Sequence, residues 1–303
     1  MTHAGQDQVH KQKIAQLEAD ELLHISGVRR AWYEFRRNRF ALVGAVFIIF
    51  IALMAILAPV VSTHDPYKQS LRKRMKPPSA EHFLGTDELG RDFYSRLAYG
   101  ARVSLFVGIV GTAAGVISGT IVGLISGFFG GWTDTLVMRV IDVMYAFPGI
   151  VLAILFVAVL GPSLFNLIIV LAIWATPTLS RIVRSNVLSL KEQDYVQAAR
   201  ALGAGRLRIM FLHLLPNTLA PIIVYATLGV AGAILTTAGL GFLGLGVQPP
   251  QAEWGNMLSN GRQYLRKAPL LMVFPGALIS MTVISINLIG DALRDALDPY
   301  IQS

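Results

Sequence analysis

Residues 40–61 run from Phe40 to Val61 without a charged side chain. A helix of that length rises at about 1.5 Å per residue and crosses the ~30 Å hydrocarbon core of a bilayer. Arg29, Arg30, Arg36, Arg37 and Arg39 precede the run, and such a cluster stays in the cytoplasm. The composition agrees with a chain that crosses repeatedly: 54% of residues are hydrophobic and 15% charged, and the mean hydropathy is +0.56. A soluble domain of this size needs more polar surface than that. The net charge of +8 lies between apolar runs rather than on one face, which fits membrane flanks and not a nucleic-acid surface. The absence of cysteine excludes disulfides, thiolate metal sites and a thiol nucleophile. The polar N-terminus does not read as a cleavable signal peptide.

Five further apolar segments follow. A polar stretch, Ser62 to Gly100, is expected outside, although it carries Arg72, Lys73, Arg74 and Lys76. The second span is expected from Val103 to Phe129. Within it Gly111, Gly115, Gly119, Gly123 and Gly127 recur every fourth residue, a bare ridge on which another helix can pack backbone to backbone. The third span is read as Leu136–Leu160, interrupted at Pro148 and Gly149, and the fourth as Leu164–Leu179. A basic segment, Ser180 to Asn217, falls on the cytoplasmic side. Thr218–Leu240, an outer loop Gly241–Pro269, Leu270–Ile289 and a cytoplasmic tail complete the chain. The reading is an all-α polytopic membrane protein of six transmembrane helices with both ends inside. It divides into an arm (1–39), a first helix (40–61), an extracytoplasmic loop (62–100), a five-helix domain (101–290) and a tail (291–303). The arm has a helical look around Ile14, Leu17, Glu21 and Leu22, and reads equally as a surface helix or a disordered tail.

The segment Asp194–Asn217 is neither Gly/Ser-rich nor a charge run. Val196, Ala199 and Leu202, then Leu207, Met210, Phe211 and Leu214, suit two short amphipathic helices. Gly203 between them can take the left-handed conformation that closes one helix and redirects the chain. Ala198 and Ala199 offer a small-residue seat for a partner, and Pro216 is expected to stop the pattern. Gln197-Ala198-Ala199, Gly203 and Leu214-Leu215-Pro216 resemble the EAA loop of importer permeases in the ATP-binding-cassette superfamily, with Gln197 where that family usually has Glu. His82 to Asp92, Phe242 to Pro250 with Glu253-Trp254-Gly255, and Asn287 to Pro299 resemble blocks of the second permease subunit of dipeptide and oligopeptide importers. Thr237 and Ala238 depart from that pattern, near where relatives often carry an acidic residue.

The resemblance implies a type I ABC importer transmembrane domain that moves di- or oligopeptides inward by alternating access. It implies that Tyr195, Gln197, Ala198, Ala199, Leu202, Gly203, Leu215 and Pro216, within 194–216, form the contact with the ATPase. The implied partners are a homologous permease, two ATPase subunits that use ATP and Mg²⁺, an extracytoplasmic binding protein, and lipid. No cofactor is expected on this chain and no nucleic acid. Nickel complexes or glutathione are alternative cargoes on the same fold, and an ion-coupled secondary transporter is the competing class.

No lysine follows a glycine, so a phosphate-cradling P-loop is lacking, and the histidines form no His-Glu-x-x-His pair. With no nucleophile–base or metal constellation, the chain does not read as an enzyme. Asp142 is expected to pair with Arg139 one turn earlier. Asn166 and Asn287 are candidates for the translocation path or for interhelical hydrogen bonds. Trp254 and Tyr264 are expected to meet a binding protein or to anchor at the outer interface. His213 reads as an interface or cap residue.

Overall fold

The computed structural model describes residues 32, 33 and 35–297. The arm around residues 14–22, Arg29 and Arg30, and Asp298–Pro299 lie outside the described residues. Among those described, the chain is helical, with a single isolated bridge between Thr86 and Asp92. Five helices are long and apolar enough to cross a membrane, or up to six if one bent pair counts as a span.

The first, α1 (Arg39–Ile56), starts where Asn38 Oδ1 accepts hydrogen bonds from the amides of Phe40 and Ala41, each at 3.1 Å. The second, α2 (Phe93–Phe129), begins ten residues ahead of the expected Val103. Arg96 and Arg102 mask its first turns from a hydropathy reading. Asp92 Oδ2 caps it by accepting from Ser95 N at 2.8 Å, and the buried Arg96 guanidinium is satisfied by Pro66 O at 3.1 Å and Asp87 at 3.3 Å.

The glycine ridge does what its spacing implies. A Cβ placed on Gly111, Gly115, Gly119 or Gly127 would lie 2.6–2.9 Å from Leu171, Ala175, Leu179 or Val187 respectively, and one on Gly123 would meet Ser180 and Val183. These partners belong to α5 (Leu164–Leu190), which runs parallel to α2 and forms with it the most extensive helix pair of the fold. Contact this close is available only where no side chain intervenes. The helix continues past the expected stop at Leu179 because Leu179, Val183 and Val187, four apart, all face the ridge.

The expected third span is a broken one. It consists of α3 (Gly131–Tyr145) and α4 (Gly149–Leu160), bent by 91°. Pro148 is extended (φ −55°, ψ 129°) and cannot donate into the preceding turn. A Cβ on Gly149 would strike the Trp174 indole of α5, so glycine lets α4 lie on that ring.

After the basic segment come α6 (Asp194–Ala201), α7 (Leu219–Phe242), α8 (Trp254–Arg262) and α9 (Leu270–Leu297). Pro216 does not stop the helical path. It opens a 3-10 turn, Pro216–Thr218, that feeds α7, in keeping with proline at a helix's first position. The region read as an outer loop holds α8, and α9 continues eight residues beyond Ile289 into the expected tail. Apolar cores sit at both ends of the bundle. Trp254, Phe93, Leu97 and Leu271 fill one end, and Val196, Met210, Leu214, Val183 and Val187 fill the other.

Candidate functional site

At the end of the bundle where α5 leaves it, the chain folds into an elbow. Helix α6 ends at Ala201 with Leu202 as its C-cap, and Gly203 follows at φ +83°. Gly203 N donates to Arg200 O and Ala204 N to Ala199 O, both at 3.0 Å. This is the Schellman closure, which requires a left-handed residue at the position of Gly203. The return limb runs from Arg206 through a π-turn, Ile209–Leu214, in which Leu215 N reaches Met210 O at 2.9 Å. The extra residue in that turn re-aims the apolar side chains before α7 begins.

The elbow is seated by its inner face. Val196, Ile209, Met210 and Leu214 are buried against Leu124, Leu179, Val183 and Val187. Lys191 Nζ donates to Gly127 O at 3.3 Å, and the Arg184 guanidinium holds Asp134 with two bonds of 2.5 Å. The elbow is thereby tied to the ends of α2, α3 and α5.

Its outward side mixes exposed Arg200, Arg206 and Arg208 with bare apolar side chains. Leu202 is 88% exposed, Leu207 69% and Phe211 54%. The expected amphipathic faces are therefore redistributed: Val196, Met210 and Leu214 turn inward, whereas Leu202, Leu207 and Phe211 do not. The residues read as the ATPase contact fall on or beside this face. Gln197, Ala198, Gly203 and Pro216 are exposed, and Ala199 and Leu215 are half-buried. Gln197 Nε2 donates to Lys191 O at 3.0 Å, a bond within the chain that a glutamate could not donate. Tyr195 leans on the His213 ring, with centroids 6.4 Å apart.

The other singled-out residues fall as follows. Asp142 pairs with Arg181 of α5 at 2.6 Å, not with Arg139, and the same guanidinium lies 4.1 Å from the Tyr145 ring centre. Asn166 is spent in the turn before α5, donating to Leu160 O at 2.7 Å and Gly161 O at 2.9 Å. Asn287 lies on an exposed face of α9. Trp254 is not an interfacial anchor: it is fully buried and its indole N–H donates to Leu97 O at 3.0 Å. Tyr264 accepts from Arg74 at 3.0 Å. Beside Trp254, the carboxylate of Glu253 is buried and caps α8, accepting from Gly255 N at 2.7 Å, Asn256 N at 2.8 Å and Ser104 Oγ at 3.3 Å. Burial pushes its pKa up, against the pull of those three donors.

The family model of binding-protein-dependent transport system inner membrane components matches residues 119–303, the stretch that contains the elbow, all of α5 and the second half of the glycine ridge. The chain belongs to that family. A second model, the N-terminal TM domain of oligopeptide transport permease C, matches residues 26–78, around α1. Relatives extend along nearly the whole chain. The dipeptide transport system permease protein DppC of Alkalihalophilus pseudofirmus is 48% identical, over 94% of this chain and 93% of its own length. The di/tripeptide permease DppC of Pseudomonas aeruginosa is 45% identical, over 93% and 95%. The glutathione permease GsiD of Escherichia coli is 43% identical, over 95% and 97%. Among solved structures, the inward-facing MetNI methionine ABC transporter aligns with a TM-score of 0.54 at 22% identity, covering 67% of this chain and 96% of that one. That likeness fixes the fold as the type I importer permease. As an inner membrane component of this family, the chain is a multi-pass permease subunit of an ABC importer.

Proposed function

We propose that the chain is one of two homologous permeases in an importer for di- and oligopeptides, and that its elbow is the docking point for a cytoplasmic ATPase subunit. One observation carries the docking assignment. An elbow whose inner face is locked into the bundle presents Leu202 at 88% exposure, ahead of the apolar helical stretch that begins at Arg206. A large apolar side chain held bare at a tip outside the spans marks a surface that a partner covers. The tip residues Ala198, Gly203 and Leu202 contact the ATPase, and Gln197 holds the first turn of α6 against Lys191.

With the elbow in the cytoplasm, α2 and α5 both run inward, and the cap around Trp254 faces outward, where a binding protein delivers cargo. ATP binding closes the ATPase pair, the docked elbow moves with it, and α5 carries the displacement to α2 through the glycine contact. Packed elements shift as units rather than deform. Hydrolysis belongs to the partner subunits, with ATP and Mg²⁺ bound there. The mostly exposed apolar α3 and α4 supply surface for the second permease.

The peptide cargo rests on the names of the relatives at 48% and 45% identity. Glutathione, a modified tripeptide, is the second reading, supported by a relative at 43%. Proteoliposomes holding the full assembly test both. ATP-dependent accumulation of labelled dipeptide, competed by excess dipeptide and not by glutathione, is expected. Accumulation of glutathione alone would transfer the assignment to the second reading, and uptake without ATPase subunits would defeat both.

A further inference from the structure

At the cap end, opposite the elbow, three metal-ligand side chains from three separate segments converge. His64 follows α1, His82 lies in the loop before α2, and Asp92 caps α2. Their ligand atoms all lie within 4.8 Å of one another. Asp92 Oδ1 is 2.8 Å from His82 Nδ1 and 3.7 Å from His64 Nδ1, and the two imidazole centres are 4.5 Å apart. Asp92 Oδ2 faces the other way, accepting from Ser95 N at 2.8 Å and Ser95 Oγ at 2.7 Å. One carboxylate oxygen is thus left for the two rings.

A second observation separates this cluster from a helix cap with two histidines beside it. His82 is 4% exposed, and its Nε2 is buried with no hydrogen-bond partner. Glu81 Oε1 stands 3.9 Å from that nitrogen. An ion on Nδ1 fixes the tautomer that places the proton on Nε2, and Glu81, now paired with Lys73, is the nearest carboxylate to accept from it after a small shift. Ser62, Thr63, His64 and Tyr67 line a solvent-open cavity alongside, which leaves room for a water ligand.

We propose that His64, His82 and Asp92 bind a divalent first-row transition-metal ion, for which Zn²⁺ serves as the probe. Two imidazoles and a carboxylate suit zinc and are too nitrogen-rich for Mg²⁺ or Ca²⁺. Ligand atoms at about 2.0–2.1 Å from a tetrahedral ion sit roughly 3.4 Å from each other, between the two separations seen here. The ion would tie the segment after α1 to the loop before α2, stapling the outer cap without touching the elbow.

The test uses the assembled transporter carrying an affinity tag without histidines. After chelation and dialysis against Zn²⁺ or Mg²⁺, metal content and melting midpoint are measured for wild type and His64→Gln. His64 is the most exposed of the three and caps no helix, so the variant folds. Wild type is expected to retain about one more Zn²⁺ per chain than the variant, to bind it about tenfold tighter or more, and to gain a Zn²⁺-specific, chelator-reversible rise in midpoint. Equal zinc content and equal shifts in the two proteins, or an equal response to Mg²⁺, would overturn the site.

Discussion

At the residue scale, two side chains carry opposite lessons about exposure. Leu202 is an apolar residue held in water at the tip of the elbow, so its removal costs the isolated chain little. Leu202→Asp is expected to leave membrane insertion and melting unchanged while cutting ATPase co-purification by about thirtyfold or more, the scale of an interface hot spot at about 2 kcal/mol. Undiminished co-purification would remove Leu202 from the interface. Gly203→Val places a branched side chain at φ +83° and is expected to weaken the same association through the turn, since open space around the residue leaves conformation as the obstacle. Glu253 is the buried counterpart. Its folded pKa is raised above the ordinary value of about 4.5, so the folded state holds its proton over a pH range where the unfolded chain has lost it. Its contribution to stability therefore falls as pH rises from about 4.5 through the raised value. Melting midpoints of wild type and Glu253→Gln, compared across that range, are expected to show wild type gaining relative to the variant as pH falls; a constant difference would contradict this.

At the element scale, the glycine ridge on α2 predicts a steep response to size. Gly115→Leu drives a side chain into Ala175 and the α5 backbone, where a Cβ alone would already stand 2.6 Å away. A loss of at least 1–3 kcal/mol, typical of overpacking, is expected, read as a lower melting midpoint. Gly244→Ala at the loop after α7 meets no neighbour and serves as the comparison, with cost confined to its positive φ. The ridge was legible because its four-residue period is a property of sequence alone, and its partners Leu179, Val183 and Val187 repeat the same period. The 91° break between α3 and α4 was not legible: Pro148 and Gly149 announce an interruption, but its angle depends on where Trp174 stands. Helix α8 escaped notice because Asn256, Ser259, Asn260 and Arg262 dilute its apolar face. Asp142 drew Arg181 rather than Arg139 because the tertiary neighbour offered both a carboxylate partner and a seat on Tyr145. Trp254 could be read as an interface aromatic from sequence, since nothing local shows that Leu97 O waits to accept its N–H.

At the scale of the whole molecule, the elbow and the cap lie at opposite ends of one parallel pair, α2 and α5, and on the proposed docking this arrangement lets the chain act as a lever. The turn at Gly203 was readable from residue type, because a left-handed closure favours glycine, whereas Pro216, expected to stop the pattern, leads into α7 instead. The split of apolar residues between the inner and outer faces of the elbow was not, because the π-turn re-phases them. The chain contains no cysteine, so a single introduced thiol is the one reactive position on this subunit, and the cysteine-free parent subtracts adducts from partner thiols. The most direct test places cysteine at Leu202, with Phe165 at the opposite end as control, and adds a short thiol-to-amine crosslinker to membranes holding the complete transporter. A specific adduct with an ATPase subunit at position 202, changing in yield when ATP is bound, and none at position 165, is the predicted result. No ATPase adduct at 202, or equal yields at the two positions, would contradict the account.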